Sequence, residues 1–96
     1  MEYSVCLNAI YSDLPLPEAI RKVSQLGYHA FEFWSWWDQD IDALQQVRGE
    51  TGMCAAAMCT YFIPLNIPER RKEYREGLRA SIRVAQRLNC PTLISQ

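Results

Sequence analysis

Three points in the chain repeat one pattern, in which a helix stop is followed directly by a strand. These points are Leu26-Gly27-Tyr28, Thr51-Gly52-Met53 and Leu88-Asn89-Cys90. Glycine and asparagine tolerate the left-handed backbone conformation in which helices commonly end. Each stretch between two strands is long enough for a crossover helix, which brings the next strand in parallel to the last. The repeat therefore predicts an α/β fold with a parallel sheet in the order β-α-β-α-β-α-β.

The predicted elements follow one another without a low-complexity linker or a domain boundary. Strands are expected over residues 3–8, 30–34, 53–60 and 91–96, with one helix in each of the three intervals. The alanine-rich third strand has helix propensity, but its place between a glycine stop and a loop favours a strand. Asp38 or Asp40 would cap the second helix. Apolar residues at helical spacing predict the buried helix faces: Ala19, Ile20, Val23 and Leu26, then Ile41, Leu44 and Val47, then Tyr74, Leu78, Ile82, Ala85 and Leu88.

The segment Phe31-Glu32-Phe33-Trp34-Ser35-Trp36-Trp37-Asp38 holds all three tryptophans of the chain. Its first four residues alternate between phenylalanine and other side chains, the period of a strand with two different faces. We expect Phe31 and Phe33 to face a packed layer, with Glu32 and Trp34 on the opposite face. The residues that follow form a loop at the carboxyl end of a parallel strand, where α/β folds place their ligand sites.

Parallel strands bring their carboxyl ends to one rim, and the residues there predict a ligand site. Asn8, Glu32, Trp34, Thr60, Tyr61 and Gln96 lie at or beside these ends. Hydrogen-bonding side chains can fix hydroxyl or carbonyl groups, and an indole ring can cover C–H faces and exclude water. We therefore predict Asn8, Glu32 and Trp34 as pocket residues for a small sugar or keto-acid substrate, and we favour Trp36 and Trp37 less.

Glu32 is the one candidate acid or base at this rim. An inward carboxylate must be paired, hydrogen-bonded or protonated. Two readings of Glu32 stay open at this point: it binds substrate, or it binds neighbouring backbone and side-chain donors and has a structural role alone.

Composition and charge argue against several classes of protein. A net charge of -1 offers no electrostatic footprint for nucleic acid, and no apolar run approaches the ~20 residues that span a bilayer. The arginines of the third helix are interleaved with acidic residues, which is typical of a solvated face. The first residues lack the pattern of a signal peptide. We expect a cytoplasmic protein without a nucleic-acid or membrane partner.

The cysteines and the single histidine show no catalytic or metal spacing. Cys6, Cys54, Cys59 and Cys90 form no CxxC pair, and we expect buried reduced thiols that act as small hydrophobes. His29 lies at the amino end of its strand, away from the rim, so we expect a surface or structural residue. We therefore predict no catalytic residue and no metal ligand in this chain.

Several segments together carry a family resemblance. Residues 31–38, followed by Asp40-Ile41-Asp42-Ala43-Leu44, resemble the second strand and next helix of hydroxypyruvate isomerase-like proteins. Residues 3–8, 27–30, 57–60 and 85–96 also fit, so the similarity covers essentially the whole chain. These proteins belong to the xylose isomerase-like TIM-barrel superfamily of sugar isomerases and epimerases.

The resemblance implies that residues 1–96 are the first half of a (β/α)8 TIM barrel, with strands 1–4 and helices 1–3. The family interconverts aldose-like and ketose-like isomers by moving a proton between adjacent carbons. Its two working glutamates, and the Glu, Asp, His and Glu that often hold a divalent metal, come from later strands and have no counterpart here. A complete barrel needs ~250 residues, so we expect an amino-terminal fragment that is inactive alone.

The alternative is a self-contained small α/β module that binds a ligand or partner through its tryptophan loop without catalysis. Such a module would carry helices on both faces of an open sheet, whereas a half-barrel carries them on one face. A half-barrel also leaves two strand edges unpaired. We therefore expect poor stability of the isolated chain, or self-association through those edges.

Overall fold

Four parallel strands form one sheet in the order β1-β2-β3-β4 in the computed structural model, which describes residues 3–61, 63 and 66–95. The strands are β1 (Ser4–Cys6), β2 (Ala30–Phe33), β3 (Cys54–Cys59) and β4 (Thr92–Ile94). The helices are α1 (Leu7–Ile10), α2 (Leu16–Gln25), α3 (Ile41–Thr51) and α4 (Arg71–Arg87), and a 3₁₀ turn (Pro68–Arg70) leads into α4. The predicted alternation of strands and long helices is confirmed, with short α1 as an addition.

The three long helices end where the sequence predicts. Gly27, Gly52 and Asn89 have φ angles of 96°, 71° and 52°, the left-handed region that these residues tolerate. At the start of α3 the Asp40 carboxylate accepts a hydrogen bond from the Ala43 N–H at 3.1 Å. Asp40, and not Asp38, is therefore the N-cap of that helix.

One face of the sheet packs against the helices. Phe31 pairs in register with Val5 and Ala55, and Phe33 pairs with Met58. These side chains share one core cluster with the buried residues of the long helices: Ala19, Ile20 and Val23 of α2, Leu44 and Val47 of α3, and Val84 and Ala85 of α4. Because the strand order is sequential and β-α-β crossovers are right-handed, all three long helices lie on this one face.

The opposite face of the sheet, called the open face below, carries Cys6, Glu32, Ala57 and Thr92 in one row across the strands. Cys6 and Glu32 are half-buried and Thr92 is exposed. None of the three long helices lies on this side. Helices on one face alone are the arrangement of a barrel wall, and a self-contained open sheet would carry helices on both faces.

The first strand is shorter than predicted. It ends at Cys6, and Leu7 begins the single turn α1, which the Tyr11 N–H closes on the Leu7 carbonyl at 2.7 Å. The alternation of small and apolar residues continues through Asn8, and Leu7 is fully buried as that alternation predicts, but the backbone leaves the strand after Cys6. Asn8 therefore lies in a helical turn at the end of β1 instead of in the strand.

Two predicted core residues are exposed. Leu26 follows the last turn of α2 and is 66% exposed, and Ile82 of α4 is 40% exposed. Ser81, the residue before Ile82 on α4, is fully buried instead. The buried side of α4 includes Ala85 from the predicted apolar face, and Ser81 and Val84 from the adjacent one.

Two glycine substitutions in one helix test the assigned backbone conformations. Gly52→Ala places a Cβ in the left-handed region and should destabilise the protein by ~1 kcal/mol. Gly49→Ala, in the interior of α3, should stabilise it by ~0.5–1 kcal/mol. A Cβ at either position meets no atom within 4 Å, so the two changes in stability reflect backbone conformation and not new packing contacts. Urea denaturation of both variants measures this, and shifts of the same sign would contradict the assignment.

Candidate functional site

Asn8 and Trp34 join the ends of the first two strands. The Asn8 Oδ1 accepts a hydrogen bond from the Trp34 backbone N–H at 2.7 Å, and the Trp34 carbonyl accepts from the Cys59 N–H at 3.1 Å. Among the described residues, the Asn8 amide NH₂ has no hydrogen-bond partner. The Trp34 side chain is 48% exposed. The rim thus has one amide donor group and one accessible indole held on adjacent strand ends.

Glu32 lies on the open face of β2, one residue before the strand ends. It is half-buried, and its carboxylate makes no hydrogen bond or ion pair with any described residue. The structural role considered for Glu32 requires neighbouring donors that bind its carboxylate. No such donor is found in the described part of the chain. Burial raises the pKa of the Cys90 thiol. The hydrogen bond with the Thr92 backbone opposes this shift, and the charge of Glu32 adds to it.

Trp36, Trp37 and Tyr61 form an aromatic wall beside this rim. The ring centroids of Trp37 and Tyr61 are 4.8 Å apart, and Trp36 lies 5.9 Å from Trp37 and 6.0 Å from Tyr61. Trp36 and Trp37 are half-buried, while Tyr61 is 40% exposed. The wall joins the loop after β2 to the loop after β3, because Tyr61 belongs to the second of these loops.

Ser81 of α4 holds the wall, although sequence reasoning did not single it out. Its Oγ accepts a hydrogen bond from Trp36 Nε1 at 2.9 Å and from the Tyr61 backbone N–H at 3.1 Å. The signal in the sequence was small residues one turn apart, Gly77 and Ser81, on a helix otherwise rich in long side chains. Such a pair indicates close approach of another chain segment.

Of two other residues predicted at the rim, Thr60 is buried and Gln96 lies outside the described residues. Thr60 is buried, and both its N–H and its Oγ1 bond to the Ile94 carbonyl, at 2.9 and 3.5 Å. Thr60 therefore extends the pairing of β3 with β4, and its own hydroxyl is not available to a ligand at the rim.

Elsewhere in the described chain, little chemistry is gathered. No three His, Cys, Asp or Glu side chains there lie together as metal ligands, and no helix there is long and apolar enough to cross a membrane. The His29 side chain is exposed, and its carbonyl accepts the Cys54 N–H at 2.8 Å. A depression of about 290 Å³ lies outside the rim on the surface of α2, lined by Leu14, Glu18, Arg21, Lys22 and Gln25.

The four cysteines form no disulfide with one another, and they are not all buried as predicted. Cys59 and Cys90 are buried, Cys6 is half-buried and Cys54 is exposed. Cys54 pairs in register with Ala30, which places it on the open face of the sheet, the side that the long helices leave uncovered. Burial raises the pKa of the Cys59 thiol, and the nearby Cys6 adds to this shift. The small-hydrophobe prediction therefore holds for Cys59 and Cys90 and is wrong for Cys54.

Alkylation rates should follow this division. The thiolate is the reactive form, so a raised pKa lowers the reactive fraction at any given pH. We expect iodoacetamide to label Cys54 first, and the rates of Cys59 and Cys90 to keep rising with pH above the ordinary thiol range of ~8.5. Peptide mass spectrometry resolves the four sites, with urea-unfolded protein as the control. Equal rates at Cys54 and Cys59 in the folded protein would contradict the assigned burial.

Solved structures supply the comparison for this fold, since no protein-family model and no curated protein sequence matches the chain. The AP endonuclease, family 2, from Brucella melitensis superposes with a TM-score of 0.83 at 20% identity, over 97% of this chain and 40% of that one. Protein SMc04130 from Sinorhizobium meliloti 1021 superposes with a TM-score of 0.80 at 20% identity, over 96% of this chain and 34% of that one.

The chain thus spans well under half the length of these two structures. The TM-scores of 0.83 and 0.80 establish the fold, and identities of 20% leave the activity open. The four parallel strands in sequential order, with the long helices on one face, agree with the architecture that the sequence resemblance implied. The chain has the fold of the first half of a (β/α)8 TIM barrel.

Proposed function

We propose that this chain is the amino-terminal part of a cytoplasmic hydroxypyruvate-type sugar isomerase, and that its open face forms half of the substrate pocket. The observation that carries the proposal is the Glu32 carboxylate, which faces the barrel interior without a protein partner among the described residues. At the rim lie the Asn8 NH₂, which has no partner among the described residues, and the exposed indole of Trp34. These groups suit a small molecule with hydroxyl and carbonyl oxygens.

The proposed reaction moves one proton between adjacent carbons and one between their oxygens, and it needs no oxidant or reductant. A base removes a proton from the carbon that bears the hydroxyl group, and the electron pair forms the double bond of an enediolate. A proton then returns to the adjacent carbon, which had been the carbonyl carbon. The hydroxyl proton passes to the former carbonyl oxygen, so substrate and product contain the same atoms, and the hydroxyl and carbonyl groups have exchanged places.

The residues of this chain bind and orient substrate in this scheme. The Glu32 carboxylate accepts a hydrogen bond from a substrate hydroxyl, and such charge-assisted bonds are stronger than neutral ones. The Asn8 amide group donates to a substrate oxygen, and the Trp34 indole covers a C–H face. The proton is carried by residues outside this chain, and no described residue set here fits a metal, so no step is assigned to one.

Two alternatives are less favoured by the geometry. A self-contained binding module would have helices on both faces of its sheet, and here the long helices share one face. An AP endonuclease, the activity named for one structural neighbour, must bind a phosphate backbone with cations. Among the arginines of α4 and the turn before it, Arg70 pairs with Glu73 and Arg87 pairs with Asp42. The rim itself presents a carboxylate and aromatic rings.

Neutralising Glu32 tests its proposed role in the full-length protein. Glu32→Gln should raise the KM for hydroxypyruvate about 10- to 100-fold, because a hydrogen bond to a charged group contributes ~1.5–3 kcal/mol. The reaction is run in D₂O, and NMR measures the rate at which solvent deuterium enters the carbon that bears the hydroxyl group in the product. Glu76→Gln, on the exposed surface of α4, is the matched control. Unchanged kinetics of Glu32→Gln would leave Glu32 with a structural role alone.

The 96-residue polypeptide, expressed by itself, distinguishes the half-barrel from the self-contained module. Unpaired edges on β1 and β4 should make it associate or unfold, because exposed strand edges pair with other chains. Sedimentation velocity and thermal denaturation measure this. A monomer that melts cooperatively would favour the binding module. A reading frame that continues for ~150 residues beyond the Gln96 codon would complete the length of a barrel.

A further inference from the structure

The Ser81 hydroxyl is saturated with hydrogen bonds. It is fully buried in the middle of α4, and its proton goes to the Gly77 carbonyl one turn earlier, at 2.7 Å. Its two acceptor sites take the Trp36 indole N–H and the Tyr61 backbone N–H. A hydroxyl has one donor and two acceptor sites, so this side chain has no capacity left for other contacts.

These bonds connect three separate parts of the fold. Trp36 lies in the loop after β2, Tyr61 lies in the loop after β3, and Ser81 lies on the helix that follows. The bond to Gly77 satisfies the hydroxyl proton within the helix, so both lone pairs are directed to groups outside it. One side chain therefore ties both rim loops to α4.

Gly77 provides a second, independent sign of this contact. A Cβ built at Gly77 would lie 3.1 Å from the Tyr61 Cβ and 3.1 Å from the Ile63 Cδ1. The side chain of Ile63 could turn away, but the Tyr61 Cβ is attached to the backbone and could not. The absence of a side chain at Gly77 therefore lets the loop after β3 lie directly on α4, one turn from Ser81.

The position of the aromatic wall follows from these contacts. The Trp36 ring is fixed through its Nε1, and the Tyr61 backbone is fixed through its N–H. Trp37 packs between them, with its ring centroid 5.9 Å from Trp36 and 4.8 Å from Tyr61. The exposed part of Tyr61 then faces the solvent at a defined place beside the rim.

We propose that Ser81 is a positioning residue of the substrate pocket, which acts through Trp36 and Tyr61 and holds the aromatic wall in place for a small polyhydroxylated or keto substrate. Ser81 does not touch substrate, since all of its hydrogen-bonding capacity is used inside the protein. Loss of its hydroxyl releases both loops together. This loosens the pocket wall and leaves the proton-transfer groups in place. The substrate part of this inference rests on the proposed function, and the placement of the wall does not.

The test compares Ser81→Ala with Ser24→Ala in the full-length protein. Ser24 is a half-buried serine on α2, remote from the wall. The first readout is hydrogen exchange of the Trp36 indole N–H by ¹H–¹⁵N NMR, which should become about ten-fold faster in Ser81→Ala because the N–H loses its acceptor. The second is steady-state kinetics with hydroxypyruvate, in which KM should rise about ten-fold with kcat within about two-fold.

Gly77→Ala is the second variant, and Gly49→Ala of α3 is its control. Alanine favours the helix, so α4 stays intact, while the added Cβ displaces the loop at Tyr61. We expect the same rise in KM with Ser81 unchanged. This variant keeps the inference testable if Ser81→Ala does not fold.

The outcomes separate the two proposals. Faster indole exchange together with a raised KM supports the positioning role. Unchanged exchange of the Trp36 indole N–H in Ser81→Ala overturns it, as does an unchanged KM in both variants of an active enzyme. If the wild-type protein does not act on hydroxypyruvate, the proposed function fails, and indole exchange alone then decides the placement of the wall by Ser81.

Discussion

Burial of Phe31 and Phe33 against the helices is the constraint on which the rest of this structure depends. Each is almost fully removed from solvent, and burying an aromatic side chain of this size stabilises a fold by about 2–3 kcal/mol. Successive side chains of a strand point to opposite faces. Once the phenylalanines face the helices, Glu32 must face the barrel interior and Trp34 must follow it toward the rim. The core packing thereby sets the chemistry of the open face.

The polar groups of the rim depend on this scaffold. Asn8 bonds to the backbone of Trp34 only because β1 and β2 run side by side in parallel register. Ser81 reaches Trp36 and Tyr61 only because α4 returns over β3. Each contact uses a short side chain with few rotamers, so the loops are held at a small cost in conformational entropy. Loops that are ordered before a ligand arrives lose less conformational entropy when the ligand binds.

Local features of the sequence were sufficient for the elements and their order. The helix stops at Gly27, Gly52 and Asn89 are properties of single residues and their immediate neighbours, and each is in the left-handed region. The alternation in residues 31–34 is equally local. Prediction failed at the end of the first strand: residues 3–8 were expected to be one strand, but the strand ends at Cys6 and residues 7–10 form a helical turn.

Burial on α4 could be predicted from apolar spacing only in part, because some of the deciding partners are far away in the chain. Ala85 and Leu88 are buried as that spacing predicts. Ile82 has the spacing of a core residue and is exposed, while Ser81 is buried against groups from two loops. Thr60 was expected at the rim, and pairing with Ile94 of the next strand covers it. No pattern in the sequence around Thr60 indicates this outcome. The small residues Gly77 and Ser81 indicate that some chain segment approaches α4 closely, but they do not say which segment.

The sequence by itself determined the alternation of strands and helices, the stops between them and the two faces of β2. The physical reason is that backbone preference and side-chain period act over a few residues. Only the tertiary structure decided that Asn8 bonds to Trp34, that Thr60 leaves the rim and that Ser81 holds the aromatic wall. These contacts join residues that are 26, 34, 20 and 45 positions apart. They exist because the crossovers bring distant segments together, and no local preference encodes them.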